Sequence, residues 1–471
     1  MKTIYIDCTY LSHHNHMNTG IQRVVRRVVD NFEAIASESE LRVIPVSINN
    51  GELTPVSSVD LYPSEKIQEA VAPEIDKVPV RISLYNFAKS AYKTVRELIC
   101  KALPSRRVRH FMYTPRQNFG LSYLIDRILL RPVKKIETLL KVRKNPAVIE
   151  SIEKEFDQFS EVMAGDILLL LDSTWDFNIW TSVEKFKEKD VKVIAVVYDL
   201  IPISHPHYCD AYLVDVFKKW FFKSIQLVDG YVAISHTVQQ DTAEFLRKEF
   251  GERSAQKGFD FFHLGGDFSY PTSTKNAVKP SLIEHFSQRP SSYLIVSTIE
   301  PRKNHQYLLD VFDLLWEKEL EVDLCIVGRV GWKVESLIDR INNHSKSNIR
   351  LHLWSGLCDV ELAYCYANAK MLLFPSIIEG FGLPIVESLT NRLPVMASDT
   401  PIHREVGGDR IDYFDLNDPE SLCQKIEEIE TNGIPESLKI AEGYRWIDWR
   451  ESSQMLLDKV IRMETETIKE H

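Results

Sequence analysis

Long hydrophobic runs are missing from this chain of 471 residues. A membrane-crossing helix needs roughly 18 consecutive apolar residues, whereas the longest candidates, Ile167–Leu171 and Val193–Val197, have only strand length. The chain is therefore expected not to cross a membrane as a helix. Nor is Met1–Tyr10 expected to be an export signal: Asp7 interrupts its apolar stretch, and no small-residue cleavage site follows. The cysteines Cys8, Cys100, Cys209, Cys325, Cys358, Cys365 and Cys423 include no C-x-x-C pair. Their odd number, with several inside apolar runs, fits buried thiols in a reducing compartment, so a cytoplasmic location is expected. Overall positive charge is lacking as well. A formal net charge of −10 argues against a general nucleic-acid binder.

What is present is length, and a repeated alternation. A chain this long exceeds one ordinary core, so two large domains are expected. Strand-like Ile4–Ile6 precedes Ile21–Phe32, in which Ile21, Val24, Val25, Val28, Val29 and Phe32 line one helical face. Strands are expected at Ile167–Leu171, Val193–Val197 and Tyr231–Ile234. The Pro/Ser/Thr/Lys-rich segment Ser269–Pro280 has the composition of a linker. The pattern then restarts with strands at Tyr293–Val296, Leu324–Val327, Met371–Phe374 and Val395–Ala397, and helices near His305–Leu320, Asp359–Ala369 and from Pro384. This alternation predicts an α/β protein of two Rossmann-like domains with parallel sheets, spanning about 1–275 and 285–445. Ligands in such sheets bind beyond the carboxyl ends of the strands, here in the cleft between the halves.

One region breaks the alternation. Between Lys93 and Lys144 there are fourteen Lys/Arg against three Asp/Glu, interleaved with the aromatics Phe111, Tyr113, Phe119 and Tyr123 and the aliphatics Leu124, Ile128, Leu129 and Leu130. It is expected to be a basic insertion, about 64–150, in the N-terminal domain. Its composition suits peripheral contact with an anionic membrane or a lipid-linked acceptor. A solvated insertion covering the adjacent sheet is the competing reading.

The segment Phe374–Glu387, F-P-S-I-I-E-G-F-G-L-P-I-V-E, carries the densest chemistry. Gly380 and Gly382 permit a sharp turn, and Pro384 suits the first position of a helix. Free N–H groups at that helix start favour phosphate. Glu379 is expected on the loop and Glu387 in the first helical turn, each placed to meet sugar hydroxyls. A nucleotide-sugar site follows, against the plainer reading of glutamates placed near a helix dipole. Upstream, Ser297–His305 reads S-T-I-E-P-R-K-N-H. A basic pair on a strand-to-helix loop can neutralise a diphosphate, Arg302 with a planar fork and Lys303 as a point charge.

E-P-R-K-N-H at Glu300–His305 and E-G-F-G-L-P-I-V-E at Glu379–Glu387 resemble the retaining glycosyltransferases of glycosyltransferase family 4, which have the GT-B fold. The resemblance runs from about Ser292 to Asp415, through W-S-G-L-C-D-V-E-L at Trp354–Leu362 and P-V-M-A-S-D-T-P-I-H-R-E-V-G-G-D at Pro394–Asp409. It is looser at T-G-I-Q-R (Thr19–Arg23), Y-D-L-I-P (Tyr198–Pro202), A-I-S-H-T-V-Q-Q-D (Ala233–Asp241) and L-G-G-D (Leu264–Asp267). The resemblance implies that Glu379 faces the transferred sugar and that Glu387 holds the ribose. Backbone N–H groups of Gly380, Phe381, Gly382 and Leu383 would meet the sugar and diphosphate, and Lys303 with Arg302 would bind the phosphates. Gly20, in a loop before a helix, would let the backbone close over the diphosphate, and Gly328 would lie near the nucleotide. A final helix within 446–471 would pack back on the first domain. Three positions depart from the family pattern: Thr298 replaces a common Arg, Tyr198-Asp199 a common His-acid pair, and Arg392 a common Gly.

The implied reaction is transfer of a hexose, GDP-mannose being the first donor considered, to a saccharide or lipid-linked saccharide of bacterial O-antigen, capsule or exopolysaccharide. No D-x-D motif occurs, in keeping with a reaction that needs no metal and no cofactor. Asp199 is the first-domain candidate for contacting the acceptor, with loop capping as its alternative role. Competing functions are a catalytically silent subunit of a polysaccharide assembly complex and a GT-B epimerase or phosphorylase. Partners expected are a sugar nucleotide and a saccharide acceptor, but no nucleic acid. The location expected is the cytoplasm, extending to the inner face of the plasma membrane.

Overall fold

The computed structural model describes residues 2–62, 162–267 and 278–468, apart from positions 18, 39, 50 and 51. The basic insertion and most of the expected linker lie outside the described residues. Pro280 itself opens the helix Pro280–Gln288, where a residue without an N–H is tolerated.

The first sheet comprises β1 (Lys2–Asp7), β2 (Leu41–Asn49), β3 (Glu52–Pro55), β4 (Ile167–Leu170), β5 (Lys192–Val197), β6 (Gly230–Ala233) and β7 (Gly258–Phe261). Their order is β3-β2-β1-β4-β5-β6-β7. Only the β2–β3 hairpin is antiparallel. The second sheet, entirely parallel, comprises β8 (Ser292–Val296), β9 (Asp323–Val327), β10 (Leu351–Trp354), β11 (Met371–Phe374), β12 (Val395–Ser398) and β13 (Asp412–Phe414), in the order β10-β9-β8-β11-β12-β13. Both sheets belong to one compact unit.

Parallel strands buried on both faces need nearly continuous apolar sequence, and I-L-L-L in β4 and M-L-L-F in β11 are buried throughout. The helix Gly20–Ala36 buries Val24, Val25, Val28, Val29, Phe32 and Ile35 on one stripe. Each such side chain contributes about 1.5–3 kcal/mol by leaving water. The last helix, Trp449–Ile468, lies against the Gly20–Ala36 helix and against β6 and β7, burying Leu456, Leu457 and Val460. It returns to the first sheet although the second domain precedes it in the chain. Direct hydrogen bonds fasten the return: Trp446 Nε1 donates to Leu264 O (2.8 Å) and Trp449 N to Asp267 Oδ1 (2.8 Å).

Candidate active site

The carboxyl ends of the two sheets face a cavity of about 610 Å³. Every site residue expected from the sequence lines it: Gly20, Asp199, Arg302, Lys303, Gly328, Glu379, Gly380, Phe381, Gly382, Leu383 and Glu387. The local reasons differ from element to element. β8 ends at Val296, and Pro301–Lys303 form a short 3-10 turn that ends at Asn304, a left-handed residue (φ 55°). That turn swings Arg302 and Lys303 into the cavity. β11 ends at Phe374, and its loop returns at Gly382 (φ 94°) into the helix Leu383–Thr390. The helix starts one residue before the expected Pro384. Glu387 is its fifth residue, so it stands in the second turn rather than the first. Gly20 likewise is the first residue of its helix, not part of a loop before it.

Gly380 is required for close approach. A Cβ there would stand 2.0 Å from Tyr198 O, and Gly380 O accepts the Ser235 hydroxyl at 2.8 Å. The Glu379 loop is thereby pressed against the first domain.

Glu379 is clasped by both expected cations. Its Oε2 accepts from Arg302 Nη1 at 2.7 Å, and its Oε1 meets Lys303 Nζ. Arg302 also pairs with Glu300 at 2.7 Å and donates to Ile378 O at 3.0 Å. All three side chains of the clasp are largely buried. Burial would raise the Glu379 carboxyl, but the Arg302 and Lys303 charges hold it far below the ordinary range. Burial pulls Lys303 down, and the neighbouring Arg302 charge adds to this. Burial raises Asp199 and Glu300, with Arg302 opposing in each case. The cluster packs two cations among three carboxylates in a desolvated place, where electrostatic interactions are strong.

Asp199 does cap its loop: Oδ1 accepts Ile201 N at 2.9 Å. It still lines the cavity, within the electrostatic reach of Arg302, Glu379 and Lys303.

Glu387 is occupied on both oxygens. Tyr366 donates to Oε2 at 2.8 Å, and Arg23, from the first domain, pairs with Oε1. The Arg23 contact was not foreseen, although Arg23 closes the T-G-I-Q-R string. Also unforeseen were Trp175 and Trp332, which line the same cavity. Trp332 is fixed by donation from Nε1 to Tyr208 O (2.8 Å), and Trp175 packs edge-on against Phe217. Glu405 was missed as well. It accepts from His236 N (2.7 Å), Thr237 N (2.8 Å) and Thr237 Oγ1 (2.6 Å) and pairs with His263 Nε2 (2.8 Å), tying the second domain to a first-domain helix start.

Two parallel-sheet α/β domains with such a site between them define the GT-B class of fold. Solved structures agree: Anabaena Alr3699/HepE in complex with UDP and glucose superposes with a TM-score of 0.52 at 11% identity, covering 100% of this chain and 98% of that one. A glycosyltransferase from Rickettsia africae gives a TM-score of 0.50 at 16% identity, covering 100% and 98%. Within the chain, residues 283–445, which hold the second domain, match the family described as "Glycosyl transferases group 1". Among curated relatives, the serotype-specific mannosyltransferase WbdA of Escherichia coli is 28% identical over 302 residues, 62% of this chain and 36% of its own length. The Escherichia coli O-antigen chain mannosyltransferase B is 34% identical over 134 residues, 28% of this chain and 35% of its own. This chain thus spans about a third of the length of these relatives.

Proposed function

We propose that this chain is a retaining glycosyltransferase. It moves a hexose from a nucleoside-diphosphate sugar, GDP-mannose first among donors, to a saccharide or lipid-linked saccharide of a bacterial surface polysaccharide. The observation that carries the reading is the buried Arg302–Glu379–Lys303 clasp beside the start of the Leu383–Thr390 helix. The names of its relatives, a serotype-specific mannosyltransferase and an O-antigen chain mannosyltransferase, support mannose as the sugar and a surface polysaccharide as the product class.

The donor diphosphate competes with Glu379 for the two cations. Once it is seated, Arg302, Lys303 and the helix-start N–H groups oppose the charge that grows on the leaving group, so we assign that task to them rather than to a metal. Released from the clasp, the Glu379 carboxylate is positioned to accept hydroxyl hydrogen bonds from the transferred sugar. Glu387 meets the ribose after exchanging Arg23 for it. With the donor seated, Glu379 is engaged by the sugar hydroxyls and Glu387 by the ribose, while Asp199 Oδ1 accepts Ile201 N, so we assign the nucleophile's role to none of them. We therefore favour front-face transfer, in which the leaving phosphate takes the acceptor's proton as the new glycosidic bond forms. Asp199 lies on the acceptor side.

The test is nucleoside diphosphate release from a panel of GDP- and UDP-sugars by the purified protein. Turnover with one donor, lost in Lys303→Met, is expected. No release from any donor would instead favour a catalytically silent subunit.

A further inference from the structure

A second cluster stands at the other end of the second sheet. His285, Asp323 and His352 meet where the Pro280–Gln288 helix passes the starts of β9 and β10. One ligating atom from each, a ring nitrogen or a carboxylate oxygen, lies within 4.8 Å of the other two. Val327 at the far end of β9 lines the donor cavity. Four strand steps separate it from Asp323, about 13 Å, so the two sites do not share side chains.

His352 Nε2 and Asp323 Oδ2 are 3.4 Å apart, within ion-pair reach. Yet both atoms are buried and neither has a hydrogen bond. Unsatisfied buried polar atoms are costly and call for a partner. A tetrahedral zinc ion with bonds near 2.0–2.1 Å keeps its donors about 3.3–3.5 Å apart, which matches the His352–Asp323 separation; the His285 atom lies within 4.8 Å of both. The carboxylate is also oriented for such a role. Its Oδ1 accepts from Arg350 Nη1 at 2.9 Å, with Arg289 Nη1 at 3.7 Å. These contacts leave Oδ2 to the imidazole side, as outer partners do for metal ligands. The charge of Arg350 is shared with Glu321 at 3.0 Å. His285 Nε2 itself meets Ser292 Oγ at 3.0 Å and Cys325 Sγ, a soft donor, at 3.3 Å. Two imidazoles and one carboxylate are a donor set for zinc and similar transition-metal ions rather than for magnesium or calcium.

We propose that His285, Asp323 and His352 bind a zinc-like dication that staples the opening helix of the second domain to β9 and β10. The site is separate from sugar transfer and does not depend on that reading. The competing account is a simple His352–Asp323 ion pair.

The experiment uses the full chain, purified without a polyhistidine tag, stripped with chelator and titrated with Zn²⁺ and, in parallel, Co²⁺. One equivalent should bind, Co²⁺ should develop ligand-field absorption, and Zn²⁺ should raise the Tm in a chelator-reversible way. His285→Gln and His352→Gln should each weaken binding roughly tenfold or more. Absence of stoichiometric binding to the wild-type chain overturns the proposal and leaves the ion pair. So does a Zn²⁺-induced shift that survives unchanged in the His285→Gln/His352→Gln double variant.

Discussion

Glu379 joins two tasks at one carboxylate: it neutralises Arg302 and Lys303 in the closed clasp, and in the proposed reaction it meets the donor sugar. The consequence of removing it is therefore split. Glu379→Ala leaves the buried Lys303 without its anion and Arg302 with Glu300 alone, and breaking a buried pair in this way typically costs about 3–5 kcal/mol. The Tm should fall, and added nucleoside diphosphate should restore much of the loss, because its phosphates now meet the bare cations. Transfer should drop by about 10²–10³-fold, the scale for losing one preorganised polar group at a reacting centre. Near-normal transfer in this variant would refute the role given to Glu379. Asp7 yields a prediction of a different kind. It is fully buried at the end of β1, Thr9 donates to its Oδ1 from both N (3.0 Å) and Oγ1 (2.5 Å), and its Oδ2 has no hydrogen bond. Burial, reinforced by Asp172, pushes its pKa up from 3.8 to about 7. A carboxyl raised in the folded state favours folding fully only below its unfolded pKa, and that contribution is lost as the pH rises toward 7. By linkage the difference amounts to about 4 kcal/mol at most. Wild-type Tm should therefore decline between pH 4 and 8 more steeply than that of Asp7→Asn, a contrast that thermal melts at each pH would reveal. Parallel slopes would rule it out.

At the scale of elements, the loop from β11 to the Leu383–Thr390 helix holds the reading together. A methyl group at Gly380 would collide with the Tyr198 carbonyl, so Gly380→Ala should push the Glu379 loop off the first domain. Its transfer rate should fall by tenfold or more, roughly the penalty for misplacing a reacting group by an ångström, with little change in far-ultraviolet circular dichroism. The same loop shows what was legible in the sequence. Its apolar run, two glycines and proline specified strand, turn and helix, and the structure departs only by placing the helix start one residue early. The strands of long apolar runs were equally legible. Others were not: β2 carries Pro45 in its interior, which ordinarily argues against a paired strand. β7 (G-F-D-F) and β13 (D-Y-F) are short, with polar residues inside, and β10 contains His352. These are strands because neighbours pair with them, a fact of tertiary structure that local pattern does not carry. The Arg23–Glu387 and Glu405 contacts join residues more than 140 positions apart, and no spacing rule reaches that far.

For the whole molecule, the account rests on two sheets held across a cleft by polar ties. Glu405 caps three donors at the start of the His236–Phe250 helix and pairs with His263, and burial notwithstanding, these contacts hold its carboxyl down at about 2. Replacing it by alanine hands the partly exposed donors at the helix start to water, at a cost of about 0.5–1.5 kcal/mol per hydrogen bond. Glu405→Ala should lower the Tm by a few degrees and alter KM for the donor more than Glu405→Gln, which keeps an acceptor oxygen. Equal effects of the two variants would remove the tie from the account. The most direct test of the central claim is to follow the purified chain, GDP-α-mannose and a mannosylated acceptor by proton NMR. The account predicts donor consumption with GDP release and a new α-linked mannosyl signal, both lost in Glu379→Ala. A β-linked product, or a donor left intact across the full GDP- and UDP-sugar panel, would contradict it.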